Sequence, residues 1–93
     1  MIYAYAKLTV SDPGSLAQYR DKAGTALALH GGKVEAATNK FTVLDGSPEM
    51  PDVAALLSFP DRESALAWAQ DESLEDVHNL RRNAGGSDII LLG

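Results

Sequence analysis

Residues 2–10 read Ile2-Tyr3-Ala4-Tyr5-Ala6-Lys7-Leu8-Thr9-Val10. Ile2, Ala4, Ala6, Leu8 and Val10 fall on one side of the alternation, and Tyr3, Tyr5, Lys7 and Thr9 on the other. Sustained period-two patterning specifies a β-strand, because successive side chains leave opposite faces of the pleat. The first set makes an ordinary core face. The second carries amphipathic aromatics and a lysine stem, which fits a surface that is covered without being dry. A chain of 93 residues has too few elements to cover both faces, so this strand already predicts a partner chain.

Downstream, Ser11-Asp12-Pro13 opens a helix. Asp12 supplies a cap, and Pro13 suits the first helical position, where a missing N–H costs nothing. Leu16, Tyr19, Ala23, Ala26, Leu27 and His30 recur at helical spacing, and Gly31 follows as a left-handed stop. Gly24 costs this helix about 1 kcal/mol relative to Ala, and points to close approach to a sheet or to spare volume beside it. Lys33–Thr38 and Phe41–Leu44 predict a second strand or a short hairpin, interrupted at Asn39-Lys40, and Gly46, Pro48 and Pro51 make 45–52 a loop.

Val53–Phe59 is a nearly continuous apolar strand, hence central. Asp61 caps a helix to about Gln70 that carries Ala65, Leu66, Trp68 and Ala69. After a break at Asp71-Glu72, Ser73 and Asp76 have capping-box-like spacing, and Leu74, Val77, Leu80 and Ala84 form the stripe of a further helix. Glu75 and Asp76 suit its positive first turn, and Arg81 and Arg82 its negative last turn. Gly85-Gly86 ends it, and Ser87–Leu92 is the last strand.

The order strand, helix, strand, strand, helix, strand is that of an α+β, ferredoxin-like βαββαβ sandwich: a four-stranded antiparallel sheet with helices on one face. Residues 1–93 are expected to form one such domain. The opposite sheet face, with Tyr3, Tyr5 and alternate members of 53–59 and 89–92, is too apolar for bulk water. Surface scaling lets a chain of this length bury only about 64% of its unfolded surface. Both arguments predict a two-fold homodimer whose sheets face each other around a shared, barrel-like core.

Thirteen acidic against eight basic residues give a net charge of −5, which disfavours nucleic acid, whose affinity rests on cationic neutralisation of phosphates. The absence of cysteine excludes disulfides, thiolate nucleophiles and sulfur-ligated metals. No apolar run approaches the roughly 20 residues that span a bilayer. Nor does the N-terminus carry a basic stretch followed by an apolar one. The expected setting is therefore cytoplasmic, without membrane contact.

His30 is the candidate catalytic residue: it extends the inward stripe of the first helix at its C-terminal end, where a ring nitrogen can act as acid or base. The plainer reading is a histidine that meets the negative helix end and bonds a local carbonyl. Arg81, near the inward stripe of the last helix, is the anion-binding candidate, able to hold a carboxylate in bidentate geometry. Helix-end charge compensation or an ion pair between subunits would account for it equally simply. Tyr19, Tyr5 and Trp68 are candidate substrate contacts, and aromatic filler is the competing account of each.

His78 is read as a surface residue. With only two histidines and no ligand spacing between them, no metal is expected, and no cofactor either. Gly31-Gly32-Lys33 follows a helix and opens a strand, the reverse of a phosphate cradle. Ala4, Ala6, Ala23, Gly24, Ala26, Ala36, Ala37, Ala54 and Ala55 are many small residues for elements that pack together. They either let helix and sheet approach closely or leave a cavity, and the second reading predicts a small-molecule pocket between the first helix and the sheet.

Tyr3 with Ala6, Asp12, Tyr19, His30-Gly31-Gly32-Lys33, Asp45-Gly46, Phe59-Pro60, Ala65 with Trp68, and Leu80-Arg81 through to Gly93 together resemble the family called domain of unknown function 1330, along essentially the whole chain. The resemblance implies the dimeric α+β barrel group. That group includes cofactor-independent monooxygenases, muconolactone-type isomerases, haem-handling enzymes and ligand-sensing domains, and a shared fold does not transfer a reaction. Ser58 stands where the family commonly has an acidic residue, and Ala69 and Leu74 stand where it commonly has aromatics. If those positions line a pocket, it is less polar at one place and roomier at two. The resulting expectation is a dimer that binds a small apolar or acidic metabolite and carries monooxygenase- or isomerase-like chemistry if it is an enzyme. A non-catalytic ligand-sensing or assembly module is the alternative.

Overall fold

Capping residues set the element boundaries. In the structure, a computed structural model that describes residues 1–93, strand β1 (Ile2–Leu8) leads to Asp12, whose Oδ1 accepts from Ser15 N at 3.2 Å at the start of α1 (Pro13–Ala28). Gly31 turns the chain at φ +70°, so close to the Pro60 ring that a Cβ would collide with it, and β2 (Lys33–Thr38) follows. After β3 (Val53–Phe59), Asp61 Oδ1 accepts from Ser64 N at 2.8 Å and opens α2 (Arg62–Gln70). Both caps are those read from the sequence, because each satisfies an otherwise orphaned N–H within one turn.

The start of the last helix differs from expectation. Asp71, not Ser73, is the cap: its Oδ1 accepts both Ser73 N at 2.9 Å and Ser73 Oγ at 2.7 Å. This nucleates a 3₁₀ turn at Glu72–Leu74 that runs on into α3 (Glu75–Asn83), and β4 (Ser87–Leu92) closes the chain. The predicted strand segment Phe41–Leu44 is also absent, since the sheet edge ends at Thr38. There Thr38 Oγ1 accepts from Lys40 N at 3.0 Å and donates to Lys40 O at 3.1 Å, a local turn that competes with the ladder.

The sheet is antiparallel throughout, in the order β2-β3-β1-β4, with a bulge at Glu35. Register decides which residues share a face. Ala4 stands opposite Leu57 and Leu91, and Ala6 opposite Ala55 and Ile89. These belong to the face that the helices cover, where Phe59, Leu27, Leu57, Trp68 and Leu74 form the buried core. Tyr3, Tyr5, Leu56, Ile90 and Leu92 are on the other face and exposed. The architecture is ferredoxin-like α+β, as the order of elements implied. No helix is long and apolar enough to cross a membrane.

Candidate functional site

Ser15 Oγ donates to Leu80 O at 2.7 Å and ties α1 to α3. The next residue of α3, Arg81, therefore points into the space between helices and sheet, only 6% exposed. Its Nε donates to Ser87 Oγ at 3.0 Å, and its Nη1 donates to His78 Nδ1 at 2.9 Å and weakly to the Tyr19 hydroxyl at 3.5 Å. The guanidinium carbon lies 5.5 Å from the Tyr19 ring centre and 5.4 Å from that of Trp68, so two aromatic rings flank the cation.

Every one of these partners is neutral. The only ion pair of the molecule is Lys33–Glu35, the only other carboxylate contact of a basic side chain is the His30–Asp71 hydrogen bond, and neither reaches Arg81. Taking a charge out of water costs several kcal/mol unless it is paired. Hydrogen bonds and ring faces offset part of that cost, and the charge itself stays uncompensated. Nη2 bonds to nothing in the protein.

His78 is buried, 2% exposed, rather than on the surface as its edge position on the stripe implied. The reason is Trp68 of the neighbouring helix, whose ring it meets edge-on at 4.8 Å. Nε2–H donates to the Trp68 carbonyl at 2.9 Å, which leaves Nδ1 as the acceptor for Arg81. That tautomer is assigned from the bonding pattern. Burial holds the imidazole below its usual 6.5, the charges of Arg81 and Arg82 act in the same direction, and the Trp68 carbonyl and Asp71 oppose them. His78 is thus a neutral strut that fixes the guanidinium. The signal was present in the sequence as an i, i+3 pair with Arg81.

Two cavities meet at Arg81. One, of about 300 Å³, lies beneath α1 and is walled by Tyr19, Ala23, Gly24, Ala37 and Ala55. The small residues of the sequence account for it, and a Cβ on Gly24 would meet nothing within 4 Å. The other, of about 330 Å³, lies beneath α2 against β4, between Phe59, Trp68, Leu66 and Ile89, with Arg82 and Ser87 at its polar end. Neither is lined by a carboxylate. Trp68 also holds an indole N–H that is buried without any acceptor.

The structure brings Tyr19, Arg81 and Trp68 together, and leaves His30 and Tyr5 apart from them. His30 sits in the turn beyond α1 with Nε2 2.8 Å from Asp71 Oδ2, and it lines neither cavity. The Asp71 carboxyl is held below its usual range, first by the Ser73 hydroxyl and then by His30. Tyr5 stands on the opposite face of the sheet, in register with Leu56 and Ile90. Of the positions that depart from the family pattern, Ala69 lines the cavity beneath α2 and Leu74 is core. Ser58 faces away from the helices and donates to Glu35 Oε1 at 2.7 Å, which keeps the Glu35 carboxyl low, with lesser help from Lys33. No three His, Asp or Glu side chains converge as metal ligands.

Among solved structures, the chain is similar to a protein of unknown function from Rhodopseudomonas palustris, with a TM-score of 0.74 and 19% identity over 98% of this chain and 79% of that one. It is also similar to a protein from Jannaschia sp. CCS1, described as a dimeric ferredoxin-like protein of unknown function, with a TM-score of 0.66 and 15% identity over 99% of this chain and 97% of that one. At such identities the likeness establishes the fold alone. No curated protein matches. The sequence itself matches a family along its whole described length, residues 1–93, and the chain belongs to that family, the domain of unknown function DUF1330.

Proposed function

We propose that this protein binds a small, largely apolar acid between its helices and its sheet, anchored by Arg81, and that it does so as a homodimer joined through the open sheet face. The observation that carries the reading is the buried Arg81 guanidinium, without a carboxylate partner, lining both cavities. An anionic ligand would supply the missing counter-charge through charge-assisted bonds. The dimeric description of the Jannaschia relative supports the assembly.

Binding is better supported than turnover. Both ring nitrogens of His78 are engaged, and His30 is held at Asp71 outside the cavities. A monooxygenase- or isomerase-like role would leave the Tyr19 hydroxyl as the ionisable partner of Arg81, so a ligand-sensing or carrier role fits the groups present more closely.

Native mass spectrometry of the purified protein tests this. We expect a dimer with a small mass that is lost on denaturation, and no such mass in Arg81→Met. Arg81→Met removes an uncompensated charge from the interior but leaves the buried His78 Nδ1 without its donor, two effects of opposite sign, so a urea unfolding curve beside the mass spectrum checks that the variant is folded. Retention of the same mass by Arg81→Met would exclude Arg81 as the anchor.

A further inference from the structure

The two cavities beside Arg81 are not equivalent. The one beneath α2 gathers Arg81, Arg82 and Ser87 at one end and lines the rest with Phe59, Trp68, Leu66 and Ile89. In a protein of net charge −5, a chamber with two arginines and no acidic lining residue is a local inversion of sign. One lining residue, Trp68, 4% exposed, carries a buried indole N–H with no acceptor. Buried donors of this kind are rare in native structures because each forfeits a hydrogen bond. Two residues that line this chamber carry unused donors, Arg81 at Nη2 and Trp68 at its buried Nε1, and an acceptor with two oxygens could serve both once the indole edge opens to it.

The rest of the chamber narrows the class. Its only buried cation is Arg81, and it offers no lysine to help solvate a dianion. A phosphate monoester would arrive with three strongly hydrated oxygens and more lone pairs than the two unused donors satisfy. A carboxylate carries one charge and two planar oxygens, which a guanidinium matches. The lining is aromatic as well: Phe59 and Trp68 pack on each other with ring centres 5.6 Å apart at 48°, and a ring laid against them would gain the offset or edge-on contacts that aromatic pairs prefer. About 330 Å³ is near the lower limit of ligand clefts, so the molecule is small.

Resting on the Arg81 anchor proposed above, we propose that the chamber beneath α2 is the head-group site, and that it takes a small aromatic monocarboxylate held by Arg81 Nη2, Arg82 and the Trp68 indole N–H. Trp68 is the sole tryptophan, so its indole gives a single amide-type resonance that reports on this chamber.

Titration of the ¹⁵N-labelled protein with benzoate, and in parallel with inorganic phosphate, is the test. We expect benzoate to move the indole N–H resonance downfield saturably and phosphate to leave it in place. Arg81→Met should weaken benzoate by about tenfold or more, the usual consequence of losing a charge-assisted bond. Ala69→Phe, at an exposed wall position of the chamber, should block it. Gly24→Leu, which fills only the cavity beneath α1, should not. If benzoate binds in an Arg81-dependent way but moves Gly24 and not the indole, or is blocked by Gly24→Leu, the head group belongs beneath α1. The chamber assignment is then overturned while the anchor stands. Binding indifferent to Arg81→Met overturns both. An indole that follows phosphate as readily as benzoate overturns the carboxylate class.

Discussion

Arg81 is held on one side by a histidine that must stay neutral to hold it. Protonation of His78 would replace the Nδ1 lone pair by a second N–H and set two cations 2.9 Å apart. Because burial holds His78 below its usual 6.5 in the folded chain, the unfolded chain binds more protons as the pH falls below that value. The stability linked to His78 is therefore complete above about pH 6.5 and is lost as the pH falls through the folded value. A loss of stability between pH 7.5 and 5.5 is therefore expected. Urea midpoints at the two values should show it. In His78→Asn, whose amide oxygen still accepts from Arg81, the loss should be shallower. Equal slopes in the two proteins would mean that His78 already titrates normally.

Among the elements, α1 shows how volume left out of a helix becomes space beneath it. Gly24 sits mid-helix, where it costs backbone entropy, and a methyl placed there touches nothing. Gly24→Ala should therefore stabilise the protein by about 0.5–1 kcal/mol, read as a higher midpoint at unchanged slope in urea. Any destabilisation would show that α1 approaches the sheet more closely than the cavity allows. Most of the fold was legible in such local chemistry: β1 in its alternation, β3 in its apolar run, and α1 and α2 in Asp12 and Asp61. What escaped were features settled between elements. Whether Phe41–Leu44 continues an edge strand depends on a side-chain turn at Thr38 that costs the ladder its next bond. The burial of His78 depends on a tryptophan ten residues away on another helix. The cavity beneath α1 could be anticipated from its small residues, whereas the one beneath α2 arises from the angle between two helices and β4, which no single segment encodes. Tyr19, Arg81 and Trp68 were legible as candidates. That Trp68 joins Arg81 while His30 stays apart was not.

For the molecule as a whole, the open sheet face sets the terms of the proposed assembly. Four strands of six or seven residues present a face of about 400 Å² at ordinary strand spacing and rise. Stable interfaces bury roughly 800 Å² per partner, so the sheet alone falls short. The loop between β2 and β3 offers the remainder. Its Val43, Leu44 and Met50 are exposed apolar residues, and Met50 lies beside Lys7 and Asp88, which share the open face at one end of the sheet. Two copies with their sheets apposed would let these loops extend the contact past the sheet edge. Leu44, 96% exposed and with no role in the folded chain, should then matter to assembly as much as Ile90 at the centre of β4. We expect Ile90→Asp and Leu44→Asp each to convert the dimer to a folded monomer in sedimentation equilibrium. Leu29→Asp, an equally drastic change beyond the end of α1, should leave the dimer intact. A dimer insensitive to Leu44→Asp would confine the interface to the sheet, and one broken by Leu29→Asp would place it on the helices instead. The same comparison couples assembly to the site. Ile89 lines both cavities from the helix side of β4 while Ile90 points the other way, so a strand steadied by its partner copy also steadies one wall of the Arg81 site, and the monomeric variants should bind benzoate more weakly than the dimer does.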